Sequence, residues 1–425
     1  WRKNIVKDYF GIWMKGYYLF RHVDVPSKST TARGNFLNSI SGHQDGAECV
    51  AAGTVENNVV SEGYYTESGN IYLRLEPGKV PTAQSFTVSR YPLGLDIDSQ
   101  DWIWVEGFTI QYFGSTEFGT GSVEIYNGNY NIIRNNKILR NKHGVRVVWE
   151  NKGSANPDTT TEALADEGGA FNRVEGNEIS SNLRLEHERY CKTKKGAGFI
   201  PLGIAGTVGN VARNNTIYRS GENALQVETT SNMTPVLGCS GGQQNVPCPF
   251  VAYLLTDTDI SGNTVYDNVE AMEADGGQVV NTRIVGNTFR NIEISTFSMQ
   301  PGQFGPTWYI RNIISKPAST PFNFRGGEVF KFRGENTSKY AYLYHNSIWL
   351  DHTGNYVRAY ALNNSFKNWR YVFRNNSFYT QGSNVADFRS SLTYYEKPNM
   401  NYNSYANASG GATVNVDGTS YTTIT

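Results

Sequence analysis

The chain has 425 residues, with 38 Lys+Arg balanced by 38 Asp+Glu, so its formal net charge at pH 7 is zero. That balance argues against a nucleic-acid partner, which favours a basic face. No apolar run approaches the ~20 residues of a membrane-spanning helix, so a membrane span is excluded as well.

Residues 1–85 carry strand-like runs at Gly63–Thr66 and Ile71–Leu75. Turn signals at Ser68–Gly69–Asn70 and Pro77–Gly78 punctuate them. They read as a β-rich N-terminal cap continuous with the repeats that begin near residue 86. The chain begins at Trp1 rather than Met, which reads as a trimmed or mature end.

Beyond the cap a short phrase recurs: an apolar residue, two polar or small residues, Asn, one residue, another apolar residue. It reads Ile133–Asn136–Ile138, Val174–Asn177–Ile179, Ala212–Asn215–Ile217 and Ile260–Asn263–Val265. It continues as Ile284–Asn287–Phe289, Tyr309–Asn312–Ile314, Leu343–Asn346–Ile348 and Phe373–Asn376–Phe378. Repeats with periods of about 20–50 residues mark solenoids and arrays. The shortest spacings, Asn263 to Asn287 and Asn287 to Asn312, define the undecorated unit. At ~3.3 Å per residue that unit suits three short strands joined by turns. The flanking residues alternate with the two-residue rhythm of strands, and no stretch sustains a helical apolar stripe.

The pattern predicts an all-β protein, a parallel β-helix solenoid spanning residues 86–390. One coil cannot bury its apolar side chains alone, whereas stacked coils share a continuous core. The Asn belongs at a turn, because it tolerates left-handed backbone angles and hydrogen-bonds nearby main chain. Longer spacings place insertions at roughly 150–170, 185–209 and 229–256, pushed outward as loops. Residues 391–425, rich in Asn, Ser, Gly and Thr, read as a C-terminal cap or tail.

Four cysteines occur, at 49, 191, 239 and 248. Cys239 and Cys248 bracket a short polar stretch inside the largest insertion, where a disulfide would staple a loop without its own core. The pairing of Cys49 and Cys191 stays open. Sequons begin at Asn232 and Asn336. Together these features predict an extracellular or periplasmic, secreted protein. Asp96, Asp98 and Asp101 resemble a calcium-loop fragment, but the glycine and terminal glutamate of that loop are missing. A turn is the favoured reading; no cofactor or metal cluster is expected, with Ca2+ kept as an alternative ligand. His143 and His345, lone histidines beside turns, are assigned structural roles.

Counting onward from each Asn phrase brings a second set of strands into register, beginning at Gly144, Ala224, Ala271 and Ser295. Val145, Leu225 and Met272 then face inward, and the alternate residues face solvent. Arg146, Gln226 and Glu273 fall in one outer row, and Val148, Glu228 and Asp275 in the next. Neighbouring carboxyls push one pKa upward, so that one can stay protonated beside an ionised partner. Glycoside hydrolysis uses that combination of a proton donor and a nucleophile or base. Glu228, Glu273 and Asp275 are therefore the catalytic candidates, with Arg146 and Gln226 as substrate contacts. Lys331 and Arg333, both outward in Val-Phe-Lys-Phe-Arg, form a second candidate. A basic pair can bind a uronate carboxylate, and a lysine can abstract the proton beside it.

The Asn phrase, the run Trp-Ile-Trp-Val-Glu-Gly-Phe-Thr-Ile at 102–110, Glu273-Ala-Asp-Gly-Gly277 and Gly305-Pro-Thr-Trp-Tyr-Ile-Arg-Asn312 resemble the pectin-lyase-like superfamily of right-handed parallel β-helices. The resemblance covers roughly residues 60–380. It implies the fold, and a choice among polysaccharide lyases, glycoside hydrolases, epimerases, tailspikes and adhesins. The Asn-Thr-Asp, Gly-His-Gly and Arg-Ile-Lys motifs of polygalacturonases are missing, as is the epimerase motif Tyr-Gly-x-Asp-Pro-His-Asp-Asp. The leading expectation is a secreted glycoside hydrolase with a polysaccharide partner. A polysaccharide lyase and a non-catalytic, self-associating surface or filament protein are the rivals.

Overall fold

The computed structural model describes residues 2–4, 11–14, 17–21, 63–67, 70–74, 86–89, 91, 93–114, 121–149, 168–180, 202–205, 208–220, 223–228, 254–275, 278–299, 306–316, 328–332, 339–351, 357–361, 369–381, 384–389, 399–408, 413–416 and 419–421. Within them the chain is a right-handed parallel β-helix. Each coil runs through a front strand, a back strand and a side strand. The front strands begin with Leu95–Asp98, Val123–Tyr126, Val145–Val148, Leu202–Ala205 and Asn223–Glu228. The back strands form their own ten-stranded sheet, from Trp104–Glu106 to Asn399–Asn401. Side strands such as Lys137–Leu139 come directly after the Asn turn. In two coils the side and front strands fuse into single 12-residue strands, Thr264–Asp275 and Thr288–Met299.

The Asn turn is held by a ladder that runs the length of the solenoid. Asn287 shows one rung: its Oδ1 accepts the backbone N–H of Asn263 at 2.8 Å and the Asn263 side-chain amide at 3.0 Å. Its own Nδ2 donates to the Ile260 carbonyl at 2.9 Å. The same bonds link Asn136, Asn177, Asn215, Asn263, Asn287, Asn312, Asn346, Asn376 and Asn403. Asn403 extends the repeat beyond the span expected from sequence, because Met400–Asn403–Tyr405 carries the same phrase. The residue before each rung is left-handed, from Asn135 at φ 54° and Gly176 at φ 62° to Tyr402 at φ 57°. Asn and Gly adopt that region at little cost.

A second ladder opens the back strands. Asn131, Asn172 and Asn210 repeat the bond from backbone N–H to side-chain oxygen. Further along, the same place is taken by the buried threonines Thr258, Thr282 and Thr307. Inside the ladders the apolar rows stack like on like. Ile133, Val174, Ala212, Ile260 and Ile284 line the back wall, and Tyr309, Leu343 and Phe373 continue it. Large aromatics enter the core in its later coils, with edge-on and stacked contacts among Phe289, Phe297 and Phe330. Each fully buried side chain of this size contributes about 1.5–3 kcal/mol.

At the N-terminal side a six-stranded sheet contains Arg2–Asn4, Gly11–Met14, Tyr17–Arg21, Gly63–Glu67, Asn70–Arg74 and Phe86–Ser89. Its pairings are antiparallel except that between Tyr17–Arg21 and Gly63–Glu67. At the other end Thr413–Val416 pairs in parallel with the coil before it and antiparallel with Thr419–Tyr421. An antiparallel return of this kind blunts an edge that would otherwise template further strands.

The coil Leu202–Gly203–Ile204–Ala205 corrects the expected insertion at 185–209, because these residues form a front strand between Val145–Val148 and Asn223–Glu228. Four residues are too short a run to stand out as a strand in the sequence. Register also shifts between Asn268 and Glu270, so Ser295 pairs with Glu270 rather than with Ala271. Phe297 thereby takes the inward place beside Met272. The cysteines at 49, 191, 239 and 248, the sequons at Asn232 and Asn336, and Arg333 lie outside the described residues. Among the described residues no helix is long and apolar enough to cross a membrane.

Replacing Asn287 by Ala leaves the Asn263 N–H and the Ile260 carbonyl buried without their partners. Each such loss costs about 1–3 kcal/mol, so urea unfolding should show a destabilisation of roughly 2–5 kcal/mol. Ser347→Ala on the exposed side face should stay within about 0.5 kcal/mol.

Candidate functional site

The first eight front strands carry one row on the side of the sheet away from the main core. In register it reads Asp96, Glu124, Arg146, Gly203, Gln226, Glu273, Ser298 and Lys331. Neighbours in the row are about 4.8 Å apart along the axis. Arg146, Gln226 and Glu273 therefore do share a row, with Gly203 between the first two. Glu228 and Asp275 are direct register partners one step along the same two strands. Lys331 joins the row two coils beyond Glu273, so the two separately predicted candidates occupy one line.

The expectation that this row faces open solvent is corrected. Arg146 is 5%, Gln226 8% and Glu273 4% exposed. Their strands alternate as predicted, and Val145, Val147, Leu225, Val227 and Met272 are in the core. Burial on the opposite side of the sheet was not readable from alternation, which sets direction but not cover.

Glu273 is fixed by two neighbours. Asn223 donates its side-chain amide to Oε2, and Ser298 donates its hydroxyl to Oε1 at 3.3 Å. Asn223 stands opposite Glu270 in register, and Glu270 opposite Ser295. All three are buried. A compact polar cluster thus surrounds Glu273 on strands drawn from residues 223–228, 264–275 and 288–299. A carboxylate whose two oxygens both accept hydrogen bonds is held in one orientation, as a positioned base or nucleophile requires.

Glu124 is the row's other buried carboxyl. Burial raises its pKa, and the Asp96 carboxylate adds to that. The Gly121 N–H, 2.9 Å from Oε2, and the Arg146 charge pull the other way without overcoming it. Asp96 and Glu124 thus form a pair of adjacent carboxyls, the first exposed and the second buried. Sequence counting missed Glu124, Asn223 and Ser298. Glu124 was reachable by extending the register one coil back, to Val-Glu-Ile-Tyr at 123–126. Asn223 and Ser298 carried no signal, because their role depends on the shift at Asn268.

His143 is buried, and its carbonyl accepts the Ser122 hydroxyl. Burial, with Lys142 and Arg146 nearby, pushes its imidazole well below the usual value, so the ring is neutral. His345 is exposed at a left-handed turn position. Among the described residues no three His, Cys, Asp or Glu side chains gather as a metal site.

The class defined by this architecture is the parallel β-helix protein, with a polar row on one outer face. No known family model matches the chain. No curated protein matches it either. Among solved structures it is similar to one described as the complex structure of XylC with xylose, at 12% identity and a TM-score of 0.37. That similarity covers 91% of this chain and 52% of the other, so the chain spans about half the length of the structure it matches. The fold assignment rests on the strand pairing itself.

Because the Glu124 pKa is raised in the folded state, the folded state binds its proton more tightly than the unfolded chain. Stability from this group is full below the ordinary value of 4.5 and declines as pH rises through the raised one. Glu124→Gln should remove that decline, which cannot exceed about 1.4 kcal/mol per pH unit. Urea melts of both proteins between pH 4 and pH 8 measure it, and parallel curves would contradict the assignment.

Proposed function

We propose that this chain is a secreted carbohydrate-active enzyme, a glycoside hydrolase that holds a polysaccharide along the front face. The observation that carries the proposal is the register pairing of Glu228 with Asp275 beside a Glu273 held by Asn223 and Ser298. Three carboxyl residues within two adjacent strands supply the two roles that glycoside cleavage needs. Glu273, with both oxygens occupied as acceptors, suits the base or nucleophile. Asp275 or Glu228 would protonate the leaving oxygen.

Register partners about 4.8 Å apart suit the closer, retaining arrangement of carboxyls, near ~5 Å. Glu273 and Asp275, about 7 Å apart along one strand, suit the wider, inverting one of ~6.5–9.5 Å. The anomeric form of the first product distinguishes them. Secretion is supported by the sequons and by the spacing of Cys239 and Cys248.

One observation favours a second reading, a polysaccharide lyase: Lys331 lies in the Glu273 row. There the lysine would abstract the proton beside a uronate carboxylate, and Arg146 and Gln226 would contact the chain.

Glu273→Gln, Asp275→Asn and Glu228→Gln are expected to lower turnover of a cleaved glycan by about 10²–10⁴, with unfolding midpoints near wild type. Unchanged turnover in all three sinks the hydrolase. A product absorbing in the ultraviolet as an unsaturated sugar, together with loss of activity in Lys331→Gln, selects the lyase.

A further inference from the structure

The corner after the first front strand carries an aromatic stack that lies outside both the main core and the Glu273 row. Trp102, Tyr130 and Phe171 occupy one place in three successive coils. The Trp102 and Tyr130 rings lie 4.4 Å apart and 5° from parallel. The Tyr130 and Phe171 rings lie 5.2 Å apart at 12°. In the next coil the place belongs to Gly209, where a Cβ would run into the Phe171 ring. The stack is therefore closed at that end by bare backbone. It is open at the other, where Trp102 is 73% exposed.

Packing accounts for Phe171, which rests against the buried Ala170 and Val208, but not for the exposed indole of Trp102. Trp102, Tyr130 and Phe171 have φ of 62°, 57° and 53°, the left-handed region that bulky side chains avoid. Further along, the same corner is filled by Asp257 and Asn281, which tolerate it better. An indole mostly in water recovers little by burial. Its neighbour Trp104 is a contrast, because the Arg134 guanidinium lies 3.9 Å above that ring and occupies its face.

We infer that the Trp102–Tyr130–Phe171 stack is a binding platform for the apolar face of a neutral pyranose ring, a distal subsite for a glycan lying along the solenoid. A flat, exposed indole offers the stacking surface that the C–H face of a sugar requires. Asp98 and Asp101, exposed just before Trp102, put negative charge beside it, which disfavours a nucleic-acid backbone or an anionic sugar, whereas Glu106 is ion-paired with Arg134. Ser99 and Gln100 are exposed beside it to meet hydroxyls. The platform borders the front face five strands from Glu273, about 24 Å along the axis at 4.8 Å per coil. A long chain would reach both, and a two- or three-sugar fragment would reach one. The distal role rests on the proposed glycan substrate, whereas the stacking surface does not.

The test is retardation in native gels cast with soluble neutral polysaccharides: xylan, mixed-linkage glucan, galactomannan and galactan. At least one should retard the wild-type chain. Trp102→Ala should weaken that retardation at least about tenfold, Trp102→Tyr should keep most of it, and Trp104→Ala should leave it intact. Equal retardation of wild type and Trp102→Ala, or none of the wild type by any of the four, overturns the inference. So does a sedimentation shift showing that Trp102 mediates self-association instead. Sugar release is read separately with Glu273→Gln as control. Retardation through Trp102 without cleavage upholds the platform and removes the hydrolase; cleavage without such retardation does the reverse.

Discussion

Every turn of a solenoid leaves main-chain amides and carbonyls facing the turn above, where water does not reach. An unpaired buried group of this kind costs as much as a hydrogen bond is worth, so each must find a partner in the next coil. The Asn ladder meets that demand. One planar side chain supplies an acceptor to the coil before it and donors in return. Because each bond joins neighbouring coils, the ladder also sets their register, and everything on the outer faces depends on it. Glu228 meets Asp275, and Asn223 reaches Glu273, only because rungs at Asn215, Asn263 and Asn287 hold their coils in step.

The ladder tolerates wide variation in what hangs between rungs. Successive rungs are separated by as few as 24 residues and as many as 48. Residues added outside the wall do not disturb the pairing inside it, since loop closure grows only slowly more costly with length. The site then draws on several coils at once. Its members come from separated parts of the chain yet lie on neighbouring strands.

The fold was legible in the sequence because a repeated buried polar residue is hard to explain except by stacking. Asn136 or Asn287 alone would read as an ordinary turn. The inward and outward parity of Val145, Leu225 and Met272 was legible too, since alternation is local. What stayed hidden depended on non-local facts. Leu202–Ala205 is too short to advertise itself as a strand. The shift at Asn268 changes which residue meets Ser295, and no pattern in Asp-Asn-Val-Glu announces it. The burial of Arg146, Gln226 and Glu273 is a property of the assembled coils, about which a strand's own alternation is silent.

The 12-residue strand Thr264–Asp275 begins one residue after the rung at Asn263 and ends on the candidate acid. Most coils place a turn between the ladder and the front face, and a turn can absorb small displacements. Here the chain runs straight from anchor to carboxylates, bending at a bulge but never leaving the sheet. The strand beside it, Thr288–Met299, is built the same way and carries Ser298. The two therefore act as a pair of stiff levers clamped at one end. A fault at Asn263 would be felt as misalignment at Glu273, and one at Asn287 as misalignment at Ser298, each at the far end of the strand that the rung anchors.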